Sequence, residues 1–368
     1  MVNKMVVANL VHRPIRSLIS IVAIGLEVTL ILLIVGLCYG IMNDSKNRNA
    51  GIGFDVIVQP PGSSFLSGVS GAPVSVKVAD VLRKMPNVKV VSPVVWQIVT
   101  SGGLEVIDGI DINSFQALGG PFQYVEGGPF QGPDDALVDD YIARQRQVKV
   151  GDSMTILNHQ FRICGVVENG RGARKFVPIK TMQDLVGAEG KASLFYLKLD
   201  DPTRTEEVVK AIKQQRGMED YKVSSMQEYL SMMTPSNLPG FRPFIGVVIG
   251  VSLIIGFLVI FQSMYTAIME RTREIGILKS MGASKFYIVN VVLRETLLLA
   301  ILGIVLGVVV SLLARVGIQQ RWPLVHIDSS NEWMLRAAVI AIVGATAGAI
   351  YPAYKAAQKD PIDALAYE

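Results

Sequence analysis

The sequence predicts a membrane protein with four transmembrane α-helices and a large α+β extracytoplasmic domain inserted between spans 1 and 2. Three observations predict it. Half of the 368 residues are hydrophobic and only 18% are charged, with a mean hydropathy of +0.40, too apolar for an ordinary soluble domain of this length. The apolar residues gather into four stretches that match a hydrocarbon core, which takes about 20 helical residues to cross. Between the first two stretches, residues 42–243 turn polar, Gly- and Pro-punctuated and strand-rich, and are numerous enough to build a core of their own.

The stretches run from Leu18 to Ile41, Phe244 to Ile268, Tyr287 to Leu313 and Leu335 to Tyr351. The fourth is short and rich in small residues (Gly344, Ala345, Ala347, Gly348, Ala349), which suit close packing inside a bundle. The first exceeds a signal-peptide core, and the bulky Leu37 beside Cys38 makes a poor processing site, so it reads as a retained anchor. Cys38 lies in that span and Cys164 in the polar segment, so no disulfide framework is expected.

Lys and Arg collect beside cytoplasmic span ends. Lys4, Arg13 and Arg16 precede span 1; Arg271, Arg273, Lys279 and Lys285 lie between spans 2 and 3; Lys355 and Lys359 follow span 4. The majority places both termini and the 269–286 connection in the cytoplasm, against Arg315 and Arg321 in the 314–334 loop. A net charge of +4 follows from this pattern and calls for no nucleic-acid partner.

Within residues 42–243, Phe54–Val58 alternates as a strand, Lys77–Met85 reads as a short helix ending before Pro86, and Val88–Val99 as one or two strands, a βαβ-like order. Val150–Leu157 and Phe161–Val167 form a hairpin around Asn158, His159 and Gln160. Leu194–Leu199 is a strand, Thr203–Gln215 a helix with Val208, Val209 and Ile212 on one face, Tyr221–Val223 a short strand, and Gln227–Met233 helical. The expected arrangement is a mixed core from segments 54–100 and 172–233, with a β-rich insert over about 101–171.

Directly after span 2 stands Glu270-Arg271-Thr272-Arg273-Glu274-Ile275-Gly276-Ile277-Leu278-Lys279-Ser280-Met281-Gly282-Ala283-Ser284. Ile275, Leu278 and Met281 share a helical face, Gly282 is a natural C-cap, and Ser284 an N-cap for the next helix. Two readings follow: an amphipathic helix seated on the membrane surface or in a groove of a soluble partner, and a charged loop that only obeys the positive-inside rule.

This stretch resembles the signature of FtsX-like ABC permeases, the mechanotransmission (type VII) superfamily of macrolide exporters, lipoprotein-release permeases and the cell-division permease. Tyr351 through Leu365 resembles the family's C-terminal ending, and Asn9-Leu10 through Arg16-Ser17-Leu18 its N-terminal amphipathic helix. Glu126–Pro129, Val148–Asp152 and Phe161–Val167 resemble the MacB-like periplasmic core domain of the macrolide-exporter branch. The resemblance implies a permease without catalytic residues. Its coupling helix, made from Glu270, Arg271, Arg273, Glu274, Ile275, Gly276, Leu278, Lys279, Met281, Gly282 and Ala283, docks on a cytoplasmic ABC ATPase that uses ATP and Mg. It further implies a second permease copy, as a homodimer or related heterodimer, and admits a periplasmic adaptor or outer-membrane channel. The domains expected on this basis are an amphipathic helix over 1–17, spans over 18–41, 244–268, 287–313 and 335–351, the 42–243 domain, the coupling helix over 269–286, and a cytoplasmic tail over 352–368, in a bacterial inner membrane. A P-loop is missing, since Gly187-Ala188-Glu189-Gly190-Lys191-Ala192 lacks both spacing and hydroxyl, so the ATPase is expected on a separate chain, unlike the fused macrolide exporters.

Two functions fit that resemblance: export or extraction of a hydrophobic or amphipathic substrate (drug, peptide, haem or lipoprotein), and signalling to an extracytoplasmic partner such as a cell-wall hydrolase. Glu27, mid-span, is either functional or a locally bonded carboxyl, with Gln262 and Ser263 as candidate partners. Arg294 and Glu295 suggest an ion pair or snorkelling. Arg171, Arg174 and Lys175 form a basic knot that either contacts an outer partner or is a solvated loop. His12, His159 and His326 have no metal-ligand spacing.

Overall fold

The computed structural model describes residues 14–63, 72–99, 105–234, 237 and 240–359. The expected amphipathic helix over 1–17 and the C-terminal motif beyond Lys359 fall largely outside them. The chain divides into two compact units: residues 1–40, 242–321 and 327–368, and residues 41–241 with 322–326.

The first unit is helical. It takes the start of α1 (Pro14–Gly51), which continues beyond Gly40 into the second unit. Among the described residues, four helices are long and apolar enough to cross a membrane: α1, α8 (Phe241–Glu270), α10 (Lys285–Arg321) and α11 (Asn331–Gln358). All four overrun their expected spans. The apolar window marks only the stretch that needs hydrocarbon, whereas helix formation continues through polar residues wherever backbone hydrogen bonds persist. Thus α10 takes in residues expected in the 314–334 loop, and α11 passes through Pro352.

The bundle core joins Ile24, Val28 and Ile31 of α1 to Ile260 and Met264 of α8, Leu299 and Ala300 of α10, and an alanine stripe on α11 that includes Ala337, Ala341, Ala345 and Ala349. Small residues bring backbones together. A Cβ at Gly307 would lie 2.6 Å from the Gly25 carbonyl, and the Thr29 hydroxyl donates to the Gly307 carbonyl at 3.1 Å.

The second unit is a ten-stranded sheet. Its heart is a βαββαβ repeat: β1 (Val56–Gln59), α2 (Val78–Arg83), β3 (Val88–Val99), then β11 (Leu194–Leu199), α6 (Thr205–Gln214) and β12 (Lys222–Ser225). These strands lie in the order β12-β1-β11-β3, every neighbouring pair antiparallel. So the expected βαβ is a split one, with β11 between its two strands. Alternation along β1 sends Val56 and Val58 to a core shared with Ala79 and Leu82 of α2 and Val208, Val209 and Ile212 of α6. Ile57 goes to the opposite core, among Phe54, Phe115, Phe176, Tyr196 and Tyr229.

Between β3 and β11 the chain makes β4 (Glu105–Ile110), α3 (Ile112–Gly119), β5 (Tyr124–Gly127), β6 (Asp135–Asp139), α4 (Asp140–Arg146), β7 (Ser153–Ile156), β8 (His159–Val167), β9 (Lys175–Pro178) and α5 (Ile179–Leu185). The insert expected over 101–171 is β-rich, with two short helices, but it is not a separate sheet. β4 pairs with β3 and with β9, and β6 and β8 carry the same sheet onward. A short ladder of β2 (Val74–Ser75) with β10 (Lys191–Ala192) stands apart from it. The expected hairpin is present with a tighter turn: Ile156 faces His159, and Leu157 and Asn158 both take positive φ, the two-residue geometry that matches strand twist. His159 and Gln160 belong to β8. The last helix of this unit, α7 (Met226–Met232), is capped by the Ser225 hydroxyl, which accepts from the Glu228 amide.

Candidate coupling site

The stretch after α8 is a helix, not a loop. Glu270 ends α8, Arg271 breaks the helical path at φ −108°, and α9 spans Thr272–Ser280. Gly282 takes φ +93° after it, and the Ser284 hydroxyl accepts from the Tyr287 amide at the start of α10. Both cap residues thus do what their types predict.

The faces of α9 divide differently from the expected pattern. Thr272 and Gly276 are buried, Ile275 packs on the bundle core, and Leu278 and Lys279 are half-buried. Arg273, Glu274, Ile277 and Ser280 are exposed. Met281, grouped above with Ile275 and Leu278, instead stands 71% exposed beside Gly282, because the helix has ended before it. With Ile277 and Phe286 it makes an outward apolar set, flanked by Arg273, Glu274 and Lys285.

The inward charges are committed within the bundle. Arg271 donates to Glu295 of α10 at 3.2 Å, and the Glu295 side chain is 5% exposed. Arg16 of α1 reaches Glu270 at 3.2 Å and Glu295 at 3.6 Å. Lys279 donates to the Ala357 carbonyl at 3.0 Å and to the Lys359 carbonyl, at the carbonyl-rich end of α11. Of the expected contact residues, then, Arg271, Gly276 and Lys279 hold α9 to the bundle, while Arg273, Glu274, Met281 and Gly282 face outward, and Ala283 is half-buried. Glu295 does not pair with Arg294, which donates to Asn290 instead.

Glu27 is 3% exposed and lies against Gly256 of α8, where an added Cβ would sit 2.0 Å from its Oε2. Neither expected partner holds it: the Ser263 hydroxyl meets Ser20 at 2.6 Å, and Gln262 lines a groove of about 700 Å³ between the starts of α1 and the middle of α8. Among the described residues, Glu27 Oε1 has no hydrogen-bond partner.

In the sheet unit, the three side chains of the basic knot are held by contacts within the chain. Arg171 donates to the carbonyls of Gly51 and Gly120. Arg174 bridges Asp44 and Asp139, each at 2.8 Å. Lys175, 3% exposed, pairs with Glu105, and burial lowers its ammonium below the usual value against that pairing. No periodicity links residues so far apart in sequence, so spacing could not find these pairs. Nor could it find Asp108, 3% exposed in β4. Its Oδ2 accepts from the Ala173 amide at 3.3 Å and its Oδ1 has no partner among the described residues. Burial pushes this carboxyl up to about 7, with the Ala173 amide and Arg48 pulling the other way. No group of three or more metal-ligating side chains occurs among the described residues. His159 contacts Asp134, and His326 stacks edge-on to Tyr141.

Comparison with known proteins divides the chain in sequence, with α1 grouped with the sheet unit. A MacB-like periplasmic core domain matches residues 17–215, and an FtsX-like permease C-terminal region matches residues 246–361. A macrolide export ATP-binding/permease protein MacB of Shewanella is 25% identical over 97% of this chain; the chain spans 59% of that relative's length. An uncharacterized ABC transporter permease of Methanocaldococcus jannaschii is 26% identical over 97% of this chain and 95% of the relative. Among solved structures, the periplasmic region of MacB from Actinobacillus actinomycetemcomitans covers 50% of this chain and 94% of its own, at 15% identity and a TM-score of 0.38.

Proposed function

This chain belongs to the FtsX-like ABC transporter permeases with a MacB-like periplasmic core domain, and from that premise we propose that it couples ATP hydrolysis on a separate ATPase to motion of its sheet unit. In this reading the four long helices cross the bacterial inner membrane with both termini in the cytoplasm. The sheet unit, inserted between spans 1 and 2, lies outside. The ATPase subunit binds ATP and Mg and performs the hydrolysis; the permease binds neither. A second permease copy completes the unit, and the groove lined by Ile15, Ile19 and Leu258 offers it an apolar seat. The work done outside is export or extraction of a hydrophobic or amphipathic substrate, of the drug, peptide, haem or lipoprotein type.

The observation that carries this reading is the two-sided α9. Its outward side offers Arg273, Glu274, Ile277 and Met281 to a soluble partner, and its inward side is tied by Arg271 and Lys279 to α10 and α11. A helix bound on one side and free on the other can convert a push from a partner into displacement of spans. Apolar anchors ringed by charge are the composition of a docking patch.

The test is co-purification of the full chain with the ABC ATPase encoded beside it. Wild type is expected to hold the ATPase. Glu274→Lys and Ile277→Asp are expected to weaken the complex at least about tenfold, the loss of one well-buried interface contact. Failure of wild type to bind any ATPase overturns the reading.

A further inference from the structure

α1 does not stop at the end of its apolar window; its last turns, from Asp44 to Gly51, are built into the sheet unit. The loop between β8 and β9, residues 168–174, grips them. Arg48 donates to the Gly172 carbonyl, and the Gly172 amide donates back to the Arg48 carbonyl at 2.8 Å. Arg171 donates to the Gly51 carbonyl at 3.0 Å. Gly51 touches the loop so closely that a Cβ there would lie 1.7 Å from the Gly170 carbonyl oxygen.

Arg174 is the hub of this contact. One guanidinium nitrogen donates to Asp44 on α1, and another to Asp139, where β6 turns into α4. The side-chain exposures are 14% for Arg174, 11% for Asp44 and 3% for Asp139. Asp44 also takes Arg48, and Asp139 also accepts from the Ile142 amide at 2.7 Å to cap α4. The Arg174 guanidinium further lies 5.3 Å over the Tyr141 ring of α4. Arginine suits such a post because its rigid, forked donors serve two carboxylates at once.

We infer that Arg174 is a positioning residue that makes the end of α1 and the β6–β9 half of the sheet move as one body. The backbone already ties α1 to the other half, since Gly51 leads within a few residues into β1. Without Arg174, a displacement of α1 enters the sheet at β1 and reaches the other half only through the β8–β9 loop, by way of the Arg48–Gly172 and Arg171–Gly51 contacts. With it, Asp44 is linked directly to Asp139, and the displacement also enters at β6. This deepens the coupling function proposed above and rests on it for its purpose, though the contact itself does not need an ATPase.

The experiment is hydrogen exchange followed by mass spectrometry on the full chain in nanodiscs, alone and with the ATPase. Arg174→Gln keeps a polar side chain but loses both ion pairs; Arg174→Lys keeps one charge that can serve only one carboxylate. In the chain alone, exchange over residues 44–51 and 135–139 is expected to rise at least about tenfold in Arg174→Gln and less in Arg174→Lys, the scale of a charge-assisted hydrogen bond. With the ATPase, a non-hydrolysable nucleotide is expected to alter exchange at both β1 and β6 in wild type, and to alter it much less at β6 than at β1 in Arg174→Gln. A purely structural role would disturb β1 and β6 together. Unchanged exchange at 44–51 in the chain alone, or a β6 response as large in Arg174→Gln as in wild type, overturns the inference. Co-purification of the ATPase is read separately, so failure of the coupling function is seen on its own.

Discussion

Replacing Asp108 with Asn removes one titrating group from the interior of the sheet unit, and the consequence is a change in slope against pH. In the folded chain this carboxyl keeps its proton to about pH 7, whereas its unperturbed value is 3.8. Between those values the folded state binds one more proton than the unfolded state. The sign follows: stability is greatest on the acid side and falls as pH rises through the window, because the folded chain must finally bury a charge that the unfolded chain gives up readily to water. At 1.36 kcal/mol per pH unit, the full fall approaches about 4 kcal/mol, of which about 2–3 kcal/mol lies between about pH 5 and pH 8. Asp139, also raised by burial, tilts the curve the same way, but it does so in both proteins and cancels in the comparison. Asn in place of Asp does not titrate, so whatever it costs is the same at every pH in this range. The assay is urea unfolding of the full chain in nanodiscs from pH 5 to pH 8, read by hydrogen-exchange protection of β4 and β9 after correction for intrinsic exchange. Wild type is expected to lose stability across this range relative to Asp108→Asn. Parallel curves for the two proteins would refute the argument.

Three further outcomes are expected. Gly51→Ala forces the end of α1 away from the Gly170 carbonyl, and a lower unfolding midpoint of the sheet unit, by about 2–3 kcal/mol, measures the overpacking. Glu295→Gln leaves the guanidinium groups of Arg16 and Arg271 without their buried carboxylate; thermal unfolding in nanodiscs is expected to report a loss on the order of 3 kcal/mol, little affected by salt. Gly256→Ala drives a methyl into the Glu27 carboxyl and is expected to cut the yield of folded protein, and Glu27→Ala in the same chain is expected to restore it, as coupled neighbours should.

What could be read from residues alone was local. Apolar windows placed the long helices because hydrocarbon demands a minimum length. Alternation over Phe54–Val58 placed β1, and Val208, Val209 and Ile212 placed the buried face of α6. The faces of α9 were half legible: a three-residue spacing assigned Ile275 and Leu278 correctly to one face, but carried Met281 with them past the point where the helix ends. Strand order was not legible, since β11 reaches its place between β1 and β3 only after the intervening strands have extended the same sheet. The ion pairs among the charged residues were not legible, for one reason. Arg174 and Asp44, or Arg271 and Glu295, are partners by folding alone, and a run of cations in a sequence looks the same whether its counter-ions are bulk salt or distant carboxylates.

One feature of the sheet bears on how such a protein is made and remade. β1 and β12, the first and last strands of the βαββαβ repeat, are paired side by side, with Val56 opposite Ser225. The polypeptide therefore enters and leaves this repeat through a closed neck. During synthesis the sheet can complete itself once β12 has emerged, before α8 exists, with no later segment needed to fill a gap among its strands. The same neck makes the domain a cassette: a different sheet with adjoining first and last strands could be spliced between α1 and α8 without respacing either helix. In lineages that carry this bundle, the cassette is free to diversify in sequence and size while the helices on either side of it stay as they are.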